Sequence, residues 1–312
     1  MKDKTYLYNV NYPEHEETLW AIEARTLFKT SPKEKVFFSD VAVNPSTSPY
    51  IKNRLEIRHK TPTFEELLLR VERDENTTKN SVIKYLKLAS GDPYAEGRKA
   101  LYKELCGKFK EPVEGEVHQV TYGTTFHKGL WYFGELLRNN GLWRRHDKRP
   151  HTYSNSLKAN MAKVLVNIAG QGDASRSIID PCCGAGTVLL EGCFAGCKIA
   201  GSDINEKMAR SATRNLEHFG YAAKVSNQAI QDITEHYDAS IVDLPYGLRS
   251  QITRQEQGDI IKNAKRISDR AVIVSSEDIT SLLSEQQLKI VDACKIIKSV
   301  NKKFTRFIWV CE

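Results

Sequence analysis

No apolar run in this 312-residue chain approaches the ~18 residues that a membrane-spanning helix needs, so a helical integral membrane protein is not expected. Nor is there an apolar h-region at the start. Met1-Lys2-Asp3-Lys4 carries an acid and leads into Tyr-Leu-Tyr-Asn, which excludes a secretory signal as the expectation. Cysteine is sparse and odd in number, at 7, so no disulfide framework is expected and free thiols in the cytoplasm are. There is no internal repeat and no low-complexity tract. With 40% hydrophobic and 27% charged residues, the composition is that of an ordinary globular protein, which leaves disorder, collagen and coiled coil without support. The length suggests two domains.

What the chain does have is an uneven excess of positive charge, +7 overall. It is densest at Arg138, Arg144, Arg145, Lys148 and Arg149, where Asp147 is the lone acid. Trp143 and His146 sit among these residues, and Trp131-Tyr132-Phe133 lies just upstream. Two readings stand: a solvated linker, or a stretch that contacts phosphates through Arg144, Arg145, Lys148 and Arg149.

The two halves differ in texture. Residues 1–147 read as an α+β region: a strand over Thr5–Val10, a helix from Glu16 to Phe28 with Leu19, Trp20, Ala24, Leu27 and Phe28 at helical spacing, and a Pro/Ser-rich turn at 44–49. A helix at Phe64–Leu69 with Thr63 as N-cap follows, then a strand at Val117–Tyr122. No catalytic constellation appears there, and the region reads as a recognition domain.

Residues 148–312 alternate strand and helix. Strands are expected at Ser177–Asp180, Lys198–Asp203, Ala223–Ser226, Ala239–Asp243 and Ala271–Val274. A helix spans Asn205–Phe219, capped by Asn205 and closed by Gly220. A terminal hairpin, Lys295–Val300 and Phe304–Val310, turns at Asn301-Lys302-Lys303. This is the pattern of a doubly wound, mostly parallel sheet with an antiparallel edge.

Chemistry concentrates where strands end. Asp180-Pro181-Cys182-Cys183-Gly184-Ala185-Gly186-Thr187 leaves a strand and enters a helix, a place where glycines let a ligand approach the backbone. A nicotinamide fingerprint needs a third glycine where Leu189 stands. An acid at Asp180 repels phosphate and attracts an ammonium, pointing to S-adenosylmethionine. Asp203, at the next strand end, can accept from a ribose diol, or simply face the N-terminus of the helix after Asn205. Asp243-Leu244-Pro245-Tyr246-Gly247 is the most specific element. A carboxylate and the Leu244 carbonyl can accept both hydrogens of a planar nucleobase amine and favour its pyramidal, nucleophilic form, with Tyr246 stacking on the base.

These motifs resemble the Rossmann-fold methyltransferases that act on exocyclic amines. Within them the chain is similar to the THUMP-containing tRNA guanosine N2-methyltransferases that modify tRNA position ten in archaea and eukaryotes. The segment from Lys148 to Asn167 resembles that family's stretch before the first strand, and Ser48-Pro-Tyr-Ile-Lys-Asn-Arg-Leu carries a fainter likeness in the first half. The resemblance implies a seven-stranded Rossmann-fold methyltransferase domain over 148–312 behind a THUMP-like, tRNA-recognising region over 1–147. It places S-adenosylmethionine on Asp180, Cys182, Gly184, Gly186, Thr187, Asp203, Ile204, Gln228 and Ala229, and catalysis on Asp243, Leu244, Pro245 and Tyr246. Two positions depart from the family: Leu244 replaces the first proline of Asp-Pro-Pro-Tyr, and Gln228 stands where relatives often have an acid facing adenine.

Cys193 and Cys197 fall at i,i+4, which suggests one helical face. Adjacent Cys182 and Cys183 cannot both face a metal, so the four are read as small buried thiols and no metal is expected. His118, His127 and His151 have no catalytic partner spacing. The expectation is a cytoplasmic tRNA (guanine-N2-)-methyltransferase that needs no partner subunit. Methylation of an adenine or glutamine amine, a nicotinamide oxidoreductase, and an RNA-binding protein with a vestigial methyltransferase domain are the alternatives.

Overall fold

The structure, a computed structural model, describes residues 4–75, 77, 81–88, 98–109, 120–153, 156–245, 252–297 and 305–312. Residues 4–138 contain, among those described, β1 (Tyr6–Val10), α1 (Glu17–Phe28), β2 (Val36–Ser39), β3 (Ile51–Thr61), α2 (Phe64–Arg73), β4 (Ser81–Tyr85), α3 (Arg98–Gly107), β5 (Val120–His127) and β6 (Leu130–Arg138). A 3₁₀ segment, Leu142–Lys148, leads to α4 (Ala159–Gly170), β7 (Ser177–Asp180), α5 (Thr187–Phe194), β8 (Lys198–Ser202), α6 (Glu206–His218) and β9 (Lys224–Ser226). The chain continues through β10 (Tyr237–Asp243), α7 (Arg254–Ile267), β11 (Ser268–Ser275), α8 (Thr280–Glu285), β12 (Ile290–Ile297) and β13 (Thr305–Cys311). No helix among the described residues is long and apolar enough to cross a membrane.

Two compact units divide the chain. One comprises Met1–Asn11, Pro32–Ser46 and Tyr50–Asn140, the other Tyr12–Ser31, Thr47–Pro49 and Gly141–Glu312. The first unit is a six-stranded sheet in the order β2-β1-β3-β6-β5-β4, antiparallel except for the β4–β5 pair. Helix α2 starts as the sequence predicts, with the Thr63 hydroxyl oxygen accepting from the Glu66 amide at 3.2 Å. Phe64, Leu67 and Val71 pack with Tyr122, Trp131 and Phe133 to form its core.

The second unit is a seven-stranded sheet in the order β12-β13-β11-β10-β7-β8-β9. Five neighbouring strands are parallel, and β13 runs antiparallel to both β11 and β12. This is the doubly wound sheet with an antiparallel edge that strand–helix alternation predicts. Val242, Leu244, Ile261, Ala264, Ile267, Ile273 and Trp309 pack together on one side of it. Helix α4 lies against β10 and β11, and all of its residues except Asn160 are buried.

Helix α1 belongs to this second unit, although a single boundary after residue 147 would put it in the first. The reason is its apolar face. Leu19, Trp20, Ile22, Ala24, Leu27 and Phe28 are buried, and the helix packs on α4 and β12. Arg25 adds two bonds to Asp292, at 2.8 and 2.7 Å. The final strand pair also differs in extent, since β12 begins at Ile290. Residues 298–304, with the Asn301-Lys302-Lys303 turn, lie outside the described residues, as do Val117–Gln119 before β5.

Glu23 of α1 is fully buried, accepting from the Ser48 hydroxyl at 2.7 Å and the Asn167 amide at 2.6 Å. Burial raises its carboxyl from 4.5 to about 7 against these bonds. A carboxyl raised on folding stabilises fully below its unfolded pKa and loses that contribution as pH rises toward 7. Glu23→Gln keeps an acceptor for Asn167 without the charge. It should therefore gain thermal stability over wild type at pH 8, by at most about 3 kcal/mol, and gain nothing at pH 4.5. Melting curves at the two pH values check this.

Candidate active site

The carboxyl ends of β7, β8 and β10 each carry an aspartate. Asp180 is 4% exposed, and its Oδ1 accepts from the Cys182 amide at 3.2 Å. Burial first, then the charges of Asp243 and Asp203, push its carboxyl well above the usual range. The loop behind it is fixed by Cys183 N–H donating to Ser202 O (2.9 Å) and Gly186 N–H to Cys183 O (2.8 Å). Gly184 has φ +52° with open space where a Cβ would project, so a ligand can approach its backbone. Gly186, at φ +80°, lets α5 start with its backbone against α6, where a Cβ would come within 2.9 Å of Ala212 Cβ. Thr187 opens the helix and is buried. Leu189, in place of a third glycine, is accommodated by Gly201, whose added Cβ would lie 2.6 Å from Leu189 Cδ1. The small residue of this helix–strand contact sits on the strand.

Asp203 lies one residue past β8. Its Oδ2 accepts from the Gly184 amide and its Oδ1 from the Asn205 amide, both at 2.8 Å. The acid thus closes the turn into α6 and joins the two strand-end loops. Each oxygen keeps a second lone pair for a diol. Asn205 caps α6 by accepting from Lys207 N–H at 3.0 Å. Ile204 is 76% exposed at this strand end, an apolar surface suited to a base. Gln228 and Ala229 are half-buried in the loop after β9.

Sequence reading missed the side chains that hold these loops. Asn227 donates to the carbonyls of Asp203 and Ile204, at 2.9 and 3.0 Å. Asn215 is buried on α6 and bridges His151 O and Ala185 O, both at 2.8 Å. Arg266 donates to Ile233 O at 2.7 Å and Ile230 O at 3.0 Å, pinning the loop after Gln228. Lone asparagines and an arginine in a helix carry no local signal of such long-range bonds.

Asp243 ends β10. Its Oδ1 is shut off from solvent and has no hydrogen-bond partner among the described residues. Burial lifts its carboxyl to about 7, and the charge of Arg306 opposes the rise. A buried, unused acceptor is costly, and a ligand donor at this point would remove the cost. Leu244 is buried in the core under α7, and its N–H donates to Val274 O at 2.9 Å, a ladder bond a proline could not make. The following Pro245 restricts Leu244 to extended backbone, which limits the direction of its carbonyl. Tyr246 lies outside the described residues.

In the segment Leu142–Lys148, Arg144, Arg145 and Lys148 are exposed. Arg145 donates to the Tyr221 hydroxyl at 2.6 Å and lies over the rings of Phe219 and Tyr221. Arg149 is not part of that surface. It is 8% exposed, with Nη1 donating to His146 O at 3.2 Å, because the segment turns inward there. His146 is buried between Glu191 Oε1 (2.6 Å) and the Tyr221 hydroxyl (3.1 Å). Cys193 and Cys197 do not share a helical face, because α5 ends at Phe194 and Gly196 turns at φ +78°. Both are half-buried. Among the described residues, no group of three or more His, Cys, Asp and Glu is placed to hold a metal.

Residues 146–302, just over half the chain, match the family model UPF0020, the RMKL-like methyltransferase domain. The chain belongs to this family. A tRNA (guanine(10)-N2)-dimethyltransferase of Methanothermobacter thermautotrophicus is 35% identical over 107 residues, 33% of this chain and 32% of the relative. The Pyrococcus abyssi protein of the same name is 26% identical over 182 residues, 54% of each chain. This chain therefore spans about a third to a half of the length of these relatives. TrmN from Thermus thermophilus, a solved structure, aligns over 99% of both chains at TM-score 0.48 and 14% identity.

The methyl donor of this UPF0020 domain is S-adenosylmethionine, and the residues present fit it. Asp203 and Asp243 act on Asp180 as like charges and the three acids share one sheet edge, so the site favours a ligand bearing positive charge. The donor's ammonium and sulfonium supply that charge, whereas a dinucleotide brings phosphates. Asp180 would hold the ammonium, Asp203 the ribose, Ile204 and Gln228 the adenine, and the open face of Gly184 the body of the ligand.

Proposed function

We propose that this chain transfers a methyl group from S-adenosylmethionine to the exocyclic N2 amine of a guanosine in tRNA, at position ten. The observation that carries this reading is the sealed, unpartnered Oδ1 of Asp243 at the same sheet edge as Asp180 and Asp203. An acceptor placed there gains strength as the amine becomes tetrahedral and cationic, which is how it accelerates attack on the methyl group. The Leu244 carbonyl serves the second amine hydrogen and Tyr246 stacks on the base. No strong general base is required, since the amine proton becomes acidic on methylation. The names of the two relatives support guanosine and tRNA as the substrate.

The first unit, with the basic segment that follows it, serves recognition in this reading and is THUMP-like. Arg144, Arg145 and Lys148 contact phosphate. Replacing these three with Ala should weaken tRNA binding and flatten its salt dependence by about one unit of log–log slope per lost contact. Cofactor affinity should stay unchanged. Arg149→Ala should lower stability instead, because that side chain is buried. Salt titrations of tRNA binding check the first statement, and melting curves the second. The substrate itself is tested by nucleoside mass spectrometry of tRNA from cells with and without the gene. Loss of N2-methylated guanosine supports the proposal, and unchanged tRNA contradicts it.

A further inference from the structure

An exposed arginine on an irregular segment ordinarily moves freely, but Arg145 is held. Its Nη2 donates to the Tyr221 hydroxyl at 2.6 Å, and its Cζ lies 5.9, 5.8 and 5.6 Å from the ring centres of Phe194, Phe219 and Tyr221. Phe194 ends α5, Phe219 closes α6 and Tyr221 lies between α6 and β9. Both helices leave the carboxyl ends of parallel strands, so their last residues reach the opposite, amino edge of the sheet. Arg145 is therefore seated away from the edge that carries Asp180, Asp203 and Asp243, about 12 Å down α5 at 1.5 Å for each of its 8 residues.

A buried run of groups fixes the hydroxyl that Arg145 uses. Tyr221 Oη lies 3.1 Å from His146 Nε2, and His146 Nδ1 lies 2.6 Å from Glu191 Oε1. His146 and Glu191 are fully buried. A carboxylate only accepts, so Nδ1 carries the ring proton, Nε2 accepts from the Tyr221 hydroxyl, and the hydroxyl oxygen accepts from Arg145. Each donor from Arg145 to Glu191 thus has its acceptor. The second oxygen of Glu191 faces Lys163 of α4 at 3.9 Å. Lys163 is 2% exposed and lies over the Phe194 ring at 4.6 Å.

Holding a long side chain in one conformation costs entropy, and a side chain already held has less to lose when a ligand arrives. The Tyr221 bond uses one of five guanidinium N–H groups, and the side chain stays exposed, as do the neighbouring cations Arg144 and Lys148. That suits an anion with several acceptor oxygens. We propose that Tyr221 is a positioning residue for tRNA binding: backed by His146 and Glu191, it holds Arg145 ready for a backbone phosphate at the amino edge of the sheet. The inference rests on the reading of Arg145 as a phosphate contact given above.

Binding of unmodified tRNA by the full chain, titrated over a range of salt, tests it in a double-mutant cycle. Tyr221→Phe removes the hydroxyl and keeps the ring, and should weaken tRNA binding about two- to tenfold. Its salt slope should stay at the wild-type value, since Arg145 keeps its charge, whereas Arg145→Ala should lower the slope by about one unit. In the Arg145→Ala background, Tyr221→Phe should have no further effect. Phe219→Leu removes a ring from beside the guanidinium without touching the hydroxyl. It should behave in the same way, and serves as the second test should Tyr221→Phe fail to fold. S-adenosylhomocysteine affinity should be unchanged throughout. Wild-type tRNA affinity in Tyr221→Phe overturns the inference. So does a loss equally large with and without Arg145, the result expected if the hydroxyl serves only the fold. An Arg145→Ala variant with unchanged affinity and slope overturns the phosphate reading of Arg145 instead.

Discussion

Asp243→Ala is expected to slow single-turnover methyl transfer by about 10²–10³, or roughly 3–4 kcal/mol, the effect of losing one preorganised transition-state partner. Among the described residues nothing bonds to Oδ1, so its loss removes no hydrogen bond from the fold. Asp243→Asn should retain part of the rate, because its amide oxygen still accepts from the amine without the charge. The two differ further in pH dependence. With a carboxyl at about 7, the wild-type rate should rise as pH climbs through neutrality and then level off, whereas the Asn variant should be flat there. S-adenosylhomocysteine affinity should hold or tighten slightly, since Asp243 is one of the charges that raise Asp180. Wild-type rates in the Ala variant would remove Asp243 from the chemistry, and loss of cofactor binding would move it to the cofactor side.

The second large effect concerns where the chain can be cut. A fragment of residues 148–312 should neither melt cooperatively nor bind S-adenosylhomocysteine, although it contains every cofactor group assigned above. It lacks α1, whose buried Leu19, Trp20, Ile22, Leu27 and Phe28 each stabilise by about 1.5–3 kcal/mol. Together these match the roughly 5–15 kcal/mol that a whole domain has in reserve. The cut also removes Glu23 from Asn167 and His146 from Glu191, leaving buried polar groups without partners. Circular dichroism melts and a cofactor titration on the fragment decide this. A cooperative transition together with micromolar binding would contradict the place given to α1.

What the sequence allowed and what it hid follow from the same physics. Parallel strands buried on both faces read as short apolar runs, so Ile178-Ile179 and Ile241-Val242 announce β7 and β10. The caps Thr63 and Asn205 are legible because their bonds are local. Helix α4 is buried all round and has no amphipathic stripe to mark it. The periodicity of α1 shows that it buries one face, but not which sheet receives it. Basic composition does not separate exposed Arg144 from buried Arg149, because that depends on how the segment turns. Asp180, Asp203 and Asp243 stand out as acids closing strands, while Asn215, Asn227 and Arg266 act through backbone groups distant in sequence.

The most direct measurement incubates the full chain with S-adenosylmethionine and unmodified tRNA, then digests the RNA and identifies the methylated nucleoside by mass spectrometry. The expected product is guanosine methylated at N2, absent when Asp180→Ala or S-adenosylmethionine-free controls are run. Methyl groups on another nucleoside, or none on RNA while the cofactor binds, would contradict guanosine N2 as the target of Asp243.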